Sequence, residues 1–246
     1  MSYTTFMHSL DIHSFFDLRE FIHKNLFNGP FPWSPLSDLQ EYFSHYRSYR
    51  IEIELPAGVF LKNPEQVAIG PGTVIEPGVF IQGPCIIGKN CAIRHGAYLR
   101  GGVILGDGCT IGHDGEVKHS ILLDHAAATH FVYVGDSIIG SGANLSAGVK
   151  CANVRLDRKA VSVVDGMKRL GTGLKKFGAV VGDRVQVGCN CVLNPGTLIG
   201  ANSVCYPLLN IGGYIPPKSR VKGLYNVVIE PNIDPATILK EMQTRS

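Results

Sequence analysis

The chain has no run of basic residues, and its formal net charge is only +3. Nucleic-acid and anionic-membrane binding therefore lack an electrostatic footprint. No apolar stretch approaches the roughly 18 residues of a membrane span. The N-terminal MSYTTFMHSLDIHSFFDLREF is broken by Asp, Arg and His before a signal-peptide core can form. A cytoplasmic protein without a membrane span is the expectation. Seven cysteines occur without a single CxxC, a pattern that fits a reducing compartment rather than a disulfide framework.

What the chain does have is a six-residue beat. Ile69, Ile75, Ile81, Ile87, Ile93, Leu99, Leu105, Ile111, Val117 and Leu123 stand six apart, and Val181, Val187, Leu193, Ile199, Cys205 and Ile211 resume the spacing. Two residues before these positions stand small or β-branched residues, among them Val67, Thr73, Val79, Cys85, Cys91, Ala97, Val103 and Cys109. The period fits neither an α-helix nor an ordinary sheet. It is the hexapeptide pattern of an all-β parallel β-helix, in which three very short strands close one coil and coils stack through backbone hydrogen bonds. In this phase Cys85, Cys91, Cys109, Cys191 and Cys205 point inward as small hydrophobes, whereas Cys151 and Cys189 fall outside it.

The beat divides the chain. Residues 1–50 lack it and carry helical patterns: one amphipathic helix from Leu10 to Leu26, and a second capped by Ser37 or Asp38 and running to about Tyr49. A helical hairpin covering the open end of the coil is expected, with binding of a partner by these aromatics as the alternative. The β-helix spans 51–232, with loop excursions near 124–138 and 153–179. A short C-terminal helix occupies 233–246, opened by Asp234-Pro235.

Between Ala97 and Gly148 polar residues collect at spacings that a prism interior does not need: Arg100, Lys118, His125, His130, Tyr133 and Asn144. Arg100 and Lys118 are one full coil apart, so they stack on one face as a natural site for a phosphate or carboxylate.

The phrases GPCIIG, RHGAYLRG, HFVYVGDSIIG, TGLKKFGAVVGD and GCNCVLNPGT resemble the acetyltransferase β-helix of the bifunctional glucosamine-1-phosphate acetyltransferase/N-acetylglucosamine-1-phosphate uridylyltransferases and related sugar-1-phosphate nucleotidylyltransferase-type proteins. The likeness covers about residues 65–222 and is densest from Arg94 to Gly148. It implies a left-handed coil, a homotrimer and an acetyl-CoA-dependent N-acyltransferase acting on an amino-sugar phosphate or a nucleotide-linked amino sugar, as in UDP-N-acetylglucosamine and cell-envelope synthesis. By the resemblance, His130 is the general base, Arg100 and Lys118 grip the sugar phosphate, and Tyr133 and Asn144 orient the sugar. Lys176, or its neighbour Lys175, is the nearest match to a further substrate-binding lysine. Ala147, Asn153 and Cys189 occupy positions that contact acetyl-CoA. Imidazole, titrating near neutrality, suits the deprotonation of a hexosamine ammonium.

The chain departs from that pattern at Thr129, Val154 and Cys189, where the family commonly has Asn, Tyr and Ser. It also lacks the Gly-rich LxGGxGTR loop of the nucleotidylyltransferase domain, so nucleotide transfer is not expected of this polypeptide. Three other readings stay open. One is a non-catalytic scaffold that partners a separate nucleotidylyltransferase. Another is an acyltransferase fed by acyl carrier protein. The third is a zinc hydratase like the γ-class carbonic anhydrases, using imidazoles from among His95, His113, His119, His125 and His130; in the acyltransferase reading no metal is bound.

Overall fold

The computed structural model describes residues 10–223. Three parallel sheets of eight short strands each stack into a parallel β-helix. Face I runs from Val67–Ile69 to Tyr214–Ile215, face II from Val74–Ile75 to Arg220–Val221, and face III from Phe60–Lys62 to Asn210–Ile211. The chain passes from I to II to III and back to I, one coil above the last. A side chain from each short strand enters the prism, together with the small residue two before it. Ile69, Ile81, Ile93, Leu99, Leu105, Cys109 and Ile111 are among these fully buried residues.

The beat of six is kept at two of the three corners and broken at one. Between faces I and II, and between II and III, successive inward residues are always six apart, as in Leu122 to Ala128 to Val134. Between III and I the chain takes eight residues from Leu61 to Ile69, shortens to five at Val117 to Leu122 and at Val134 to Ile139, and shortens to four at Ile211 to Ile215. The same corner leaves the coil altogether between Cys151 and Val181. Leu105 therefore pairs with Leu122, not Leu123. Leu123 points outward, and the beat at 123 is a coincidence of two adjacent leucines. The expected excursion at 124–138 does not exist: Ala127–His130 and Tyr133–Gly135 continue the ladders. The two five-residue turns also bring Cys151 into the inward phase, where it is buried.

Among the described residues the N-terminal segment is not a helical hairpin, and it does not cover an end of the coil. Residues 10–27 contain two short 3-10 turns, Ile12–Ser14 and Lys24–Phe27, and the α-helix is confined to Pro35–His45. Its first turn carries Pro35 directly after Ser34, ahead of the expected Ser37 or Asp38 cap. The first helix fails because its backbone bonds to the coil instead. Asp183 N–H donates to Phe15 O at 2.7 Å and Ala201 N–H to Ser14 O at 3.0 Å. The buried Asp183 carboxylate in turn accepts Asp17 N–H at 2.7 Å and Ser141 N–H at 2.8 Å.

So anchored, the segment lies along face I. Phe15, Phe16, Phe21, Trp33, Leu39 and Phe43 pack on the outward side chains of Ala68, Ile86, Ile104, Ile121, Ile138, Val180 and Leu198. Face I is thus apolar on both sides, and its strands read VAI, CII, VIL, SIL and AVV without alternation. The excursion adds to this layer. It carries the antiparallel hairpin Ser162–Asp165 and Lys168–Gly171, and Val161, Val163 and Phe177 are buried beside Trp33, whose ring centroid is 5.9 Å from that of Phe177. The expected C-terminal helix at 233–246 lies outside the described residues. No helix among them is long and apolar enough to cross a membrane.

One histidine reports on this layer. His23 is buried, with Nδ1 2.7 Å from the Tyr42 hydroxyl, and burial pushes its pKa down to about 4. The fold holds His23 neutral, whereas the unfolded chain protonates it near 6.5. Its contribution to stability is intact above that value and is lost as pH falls from about 6.5 to about 4, by roughly 3 kcal/mol in all. Replacing His23 with Gln should flatten that part of the acid limb in urea titrations at successive pH values. An unchanged slope would show that His23 does not report on docking of the layer.

Candidate functional site

The irregular corner between faces III and I is also where the polar residues meet. At its two five-residue turns His119 and Asp136 both take left-handed backbone, each with φ of 47°. Asp136 N–H donates to Lys118 O at 2.9 Å, and Gly178 N–H donates to Asp136 O at 2.8 Å. The Asp136 side chain is 6% exposed. Lys118 Nζ donates to its Oδ2 at 2.9 Å, and Asn153 Nδ2 makes a short hydrogen bond to the same oxygen. His119 Nδ1, itself buried, lies 3.1 Å from Oδ1 but off the line of a straight hydrogen bond. Burial alone would raise the Asp136 pKa. The imidazole of His119, the ammonium of Lys118 and the amide of Asn153 outweigh it and hold the carboxyl below its usual range.

Tyr133 borders this hub on face III, half-buried, its hydroxyl interacting with Asn153. Burial raises its pKa, and the negative charges of Glu116 and Asp136 add to the shift. Gly135 leaves the space open, since a Cβ there would fall 2.5 Å from the Tyr133 hydroxyl and 2.8 Å from Asn153 Nδ2. Arg100 follows Tyr98–Leu99, the strand that pairs with Glu116–Lys118. Its Nη1 donates to Glu116 Oε1 at 2.6 Å, and its guanidinium carbon is 5.7 Å from the centroid of the Tyr98 ring. Neither stacked cation is therefore bare: each is aimed by a carboxylate.

The other candidates lie elsewhere. His130 sits at the corner between faces II and III, exposed, with no side-chain partner among the described residues. Ala147 and Cys189 follow in the next two coils of that corner: Gly148 N–H donates to His130 O, and Asn190 N–H to Ala147 O, both at 2.8 Å. Asn144 belongs to face II, beside Ala127, and donates to Ser146 Oγ at 3.3 Å. Lys176 is exposed immediately before Phe177, where the excursion returns and Phe177 N–H closes on Asn153 O at 2.9 Å. Within one chain the structure gathers Lys118, Tyr133 and Asn153 and sets Arg100 one coil below Lys118. His130 stands across face III from them, the length of a three-residue strand or about 10 Å away.

Sequence reasoning missed Asp136 and His119 as members of the site. The signal was the one-residue shortfall after Val117 and again after Val134, which sets His119 and Asp136 at the same turn of successive coils. Among the described residues no group of three His, Cys, Asp or Glu is placed to hold a metal ion. A cavity of about 610 Å³ lies away from this corner, between the N-terminal layer and the coil, lined by His13, Phe16, Arg19, Lys24, Arg184 and Asn202 among others. Its arginines are engaged already, Arg19 with Asp17 and Arg184 with Asn202.

Comparison with known proteins places this arrangement in a family. The family model described as the GMPPB C-terminal domain matches residues 81–205. The bifunctional sugar-1-phosphate nucleotidylyltransferase/acetyltransferase of Sulfurisphaera tokodaii is 40% identical over 90 residues, which is 37% of this chain and 22% of that protein. The chain thus spans about a fifth of the length of this relative. The putative uncharacterized acetyltransferase YaiX of Escherichia coli is 34% identical over 151 residues, 61% of this chain and 66% of that one. Among solved structures, the UDP-N-acetylglucosamine acyltransferase of Francisella novicida superposes with a TM-score of 0.44 at 16% identity, over 68% of this chain and 60% of that chain. That likeness is too low to bear on function.

The hub has a stability signature. Asp136→Asn keeps a residue that tolerates left-handed backbone but removes the charge that Lys118 faces, and should cost about 2 kcal/mol at pH 7 in urea unfolding. Because the folded carboxyl has the lower pKa, the wild-type advantage is full above the unfolded value near 4 and fades as pH falls through the folded one. An advantage that persists undiminished in acid would contradict the ionised assignment.

Proposed function

Because the chain belongs to the family of the GMPPB C-terminal domain, we propose that it is an acyltransferase. In this reading it carries an acetyl group from acetyl-CoA to the nitrogen of an amino-sugar phosphate or a nucleotide-linked amino sugar. The observation that carries the reading is the pair of oriented cations, Arg100 and Lys118, in adjoining coils beside Tyr133 and Asn153.

A phosphate has three oxygens to satisfy, and an ammonium that spends one donor on Asp136 keeps two for the ligand. Arg100 supplies a second cation with its orientation set by Glu116. His130, exposed and without a side-chain partner among the described residues, is free to accept the proton of the substrate ammonium. The amine nitrogen then attacks the thioester carbonyl, the carbon–nitrogen bond forms, and the carbon–sulfur bond breaks as CoA thiolate leaves, the second nitrogen proton passing to that thiolate to give CoA thiol. No covalent enzyme intermediate is needed, since the thiolate is a good leaving group. Ala147 and Cys189 line the corner above His130 as an acyl-donor track, Asn153 contacts the donor from the other side, and Lys176 adds a cation at the mouth of the excursion. Asn144 on face II orients the sugar from a neighbouring copy of the chain. A homotrimer with clefts between prisms supplies that copy and brings His130 across to the cations.

A thiol-release assay with acetyl-CoA and glucosamine 1-phosphate tests the reading. His130→Ala should lower kcat by about 10²- to 10⁴-fold. Arg100→Ala should raise KM for the phosphorylated sugar about tenfold with acetyl-CoA little affected, as expected for the loss of one charge-assisted contact. Absence of turnover with a panel of amino-sugar phosphates and nucleotide-linked amino sugars, or equal turnover by wild type and His130→Ala, would overturn the mechanism.

A further inference from the structure

The hub at the irregular corner contains more connection than an anion grip requires. Asp136 Oδ2 accepts from two side chains of different coils, Lys118 from below and Asn153 from above. The backbone of Asp136 repeats the link, bonding Lys118 O on one side and Gly178 N–H on the other. Asn153 in turn closes the root of the excursion through Phe177 N–H and meets the Tyr133 hydroxyl. One buried oxygen is therefore shared by a residue of the sugar-phosphate subsite and a residue of the acyl-donor subsite. In a buried, low-dielectric setting such a shared acceptor is stiff, and the position of one donor constrains the other.

We propose that Asp136 is a positioning residue that couples the two substrate subsites, fixing the Lys118 ammonium and the Asn153 amide through one carboxylate oxygen. The inference rests on the acyl-transfer reading and adds a property that reading does not require. When the acyl donor settles on Asn153, the amide is held against Asp136, and Lys118 is held with its two remaining N–H donors toward the sugar phosphate. Linkage makes the effect reciprocal: the phosphate on Lys118 must tighten the donor by the same factor. A carboxylate that served the fold alone would link the coils without linking the ligands.

The test is initial-rate kinetics over a grid of acetyl-CoA and glucosamine 1-phosphate concentrations, with the full chain. In wild type, saturation with either substrate should lower KM for the other about fivefold. Asp136→Asn should raise both KM values about tenfold, leave kcat at saturation within about threefold, and bring the interaction factor to unity. Asp183→Asn, which loosens the N-terminal layer far from the hub, is the stability control and should leave both KM values and the factor unchanged. Should Asp136→Asn not fold, Asn153→Ala gives the same answer from the other side, because a residue assigned to the acyl donor should then raise KM for the sugar phosphate. An active wild type whose Asp136→Asn variant keeps the interaction factor, or raises only one KM, overturns the coupling and leaves the acyl-transfer reading standing. So does an Asn153→Ala variant that changes KM for acetyl-CoA alone. A wild type inert with the whole substrate panel overturns the acyl-transfer reading, and the coupling with it.

Discussion

Every coil of this molecule must lay its backbone hydrogen bonds on the coil below, and that ladder is the constraint from which the rest follows. Faces I, II and III each continue through eight strands without a missed partner. A residue added or removed within a strand would turn an inward aliphatic to the outside, so length can change only at corners. Two corners never change. The third, between faces III and I, absorbs a two-residue insertion between Leu61 and Ile69, one-residue deletions after Val117 and Val134, a two-residue deletion between Ile211 and Ile215, and the 153–177 excursion. The backbone there is released from the six-residue length, and His119 and Asp136 turn it in the left-handed conformation that Asn90, His125 and Phe131 also adopt at the regular corners. The polar hub is a product of that freedom within a rigid frame.

The hub also shows how charge is managed beside an apolar core. Asp136 sits a residue away from buried Ser137 and two from the prism-filling Val134. Its ionised form is tolerated because Lys118, His119 and Asn153 surround it. The same pairing keeps Lys118 extended along the corner instead of roaming in solvent. Arg100 and Glu116 repeat the device one coil down, at an exposed and therefore weaker site.

The coil was legible in the sequence because its signal is long and periodic: fifteen aliphatic positions and Cys205, with their small partners, stand at a six-residue spacing. The location of the slip was less legible. Leu122 and Leu123 are both apolar, one filling the prism and the other packing under the N-terminal layer, so the beat runs on to the wrong leucine and makes regular strands look like a loop. The apolar runs VAI, CII and VIL already announced that face I is covered on its outer side. The N-terminal residues resisted reading because their helical pattern was overridden by tertiary contacts, above all the backbone bonds to Asp183 and Ala201. Of the candidate site, Lys118, Tyr133 and Asn153 were legible as family positions, and the structure sets them around one carboxylate. Asp136 was hidden inside the motif HFVYVGDSIIG, since nothing in a linear string shows that a corner one residue short points an aspartate back at the lysine of the preceding coil.

The claim on which the functional account turns is that the corner of Asp136 is where the phosphate of an amino-sugar substrate is held. A crystal structure of the protein with glucosamine 1-phosphate and CoA tests it most directly. The account predicts the phosphate within hydrogen-bond distance of Lys118 Nζ and the Arg100 guanidinium, with Lys118 still on Asp136. A phosphate seated instead among His13, Arg19 and Arg184 under the N-terminal layer, or a sugar bound with both Lys118 and Arg100 untouched, would contradict it.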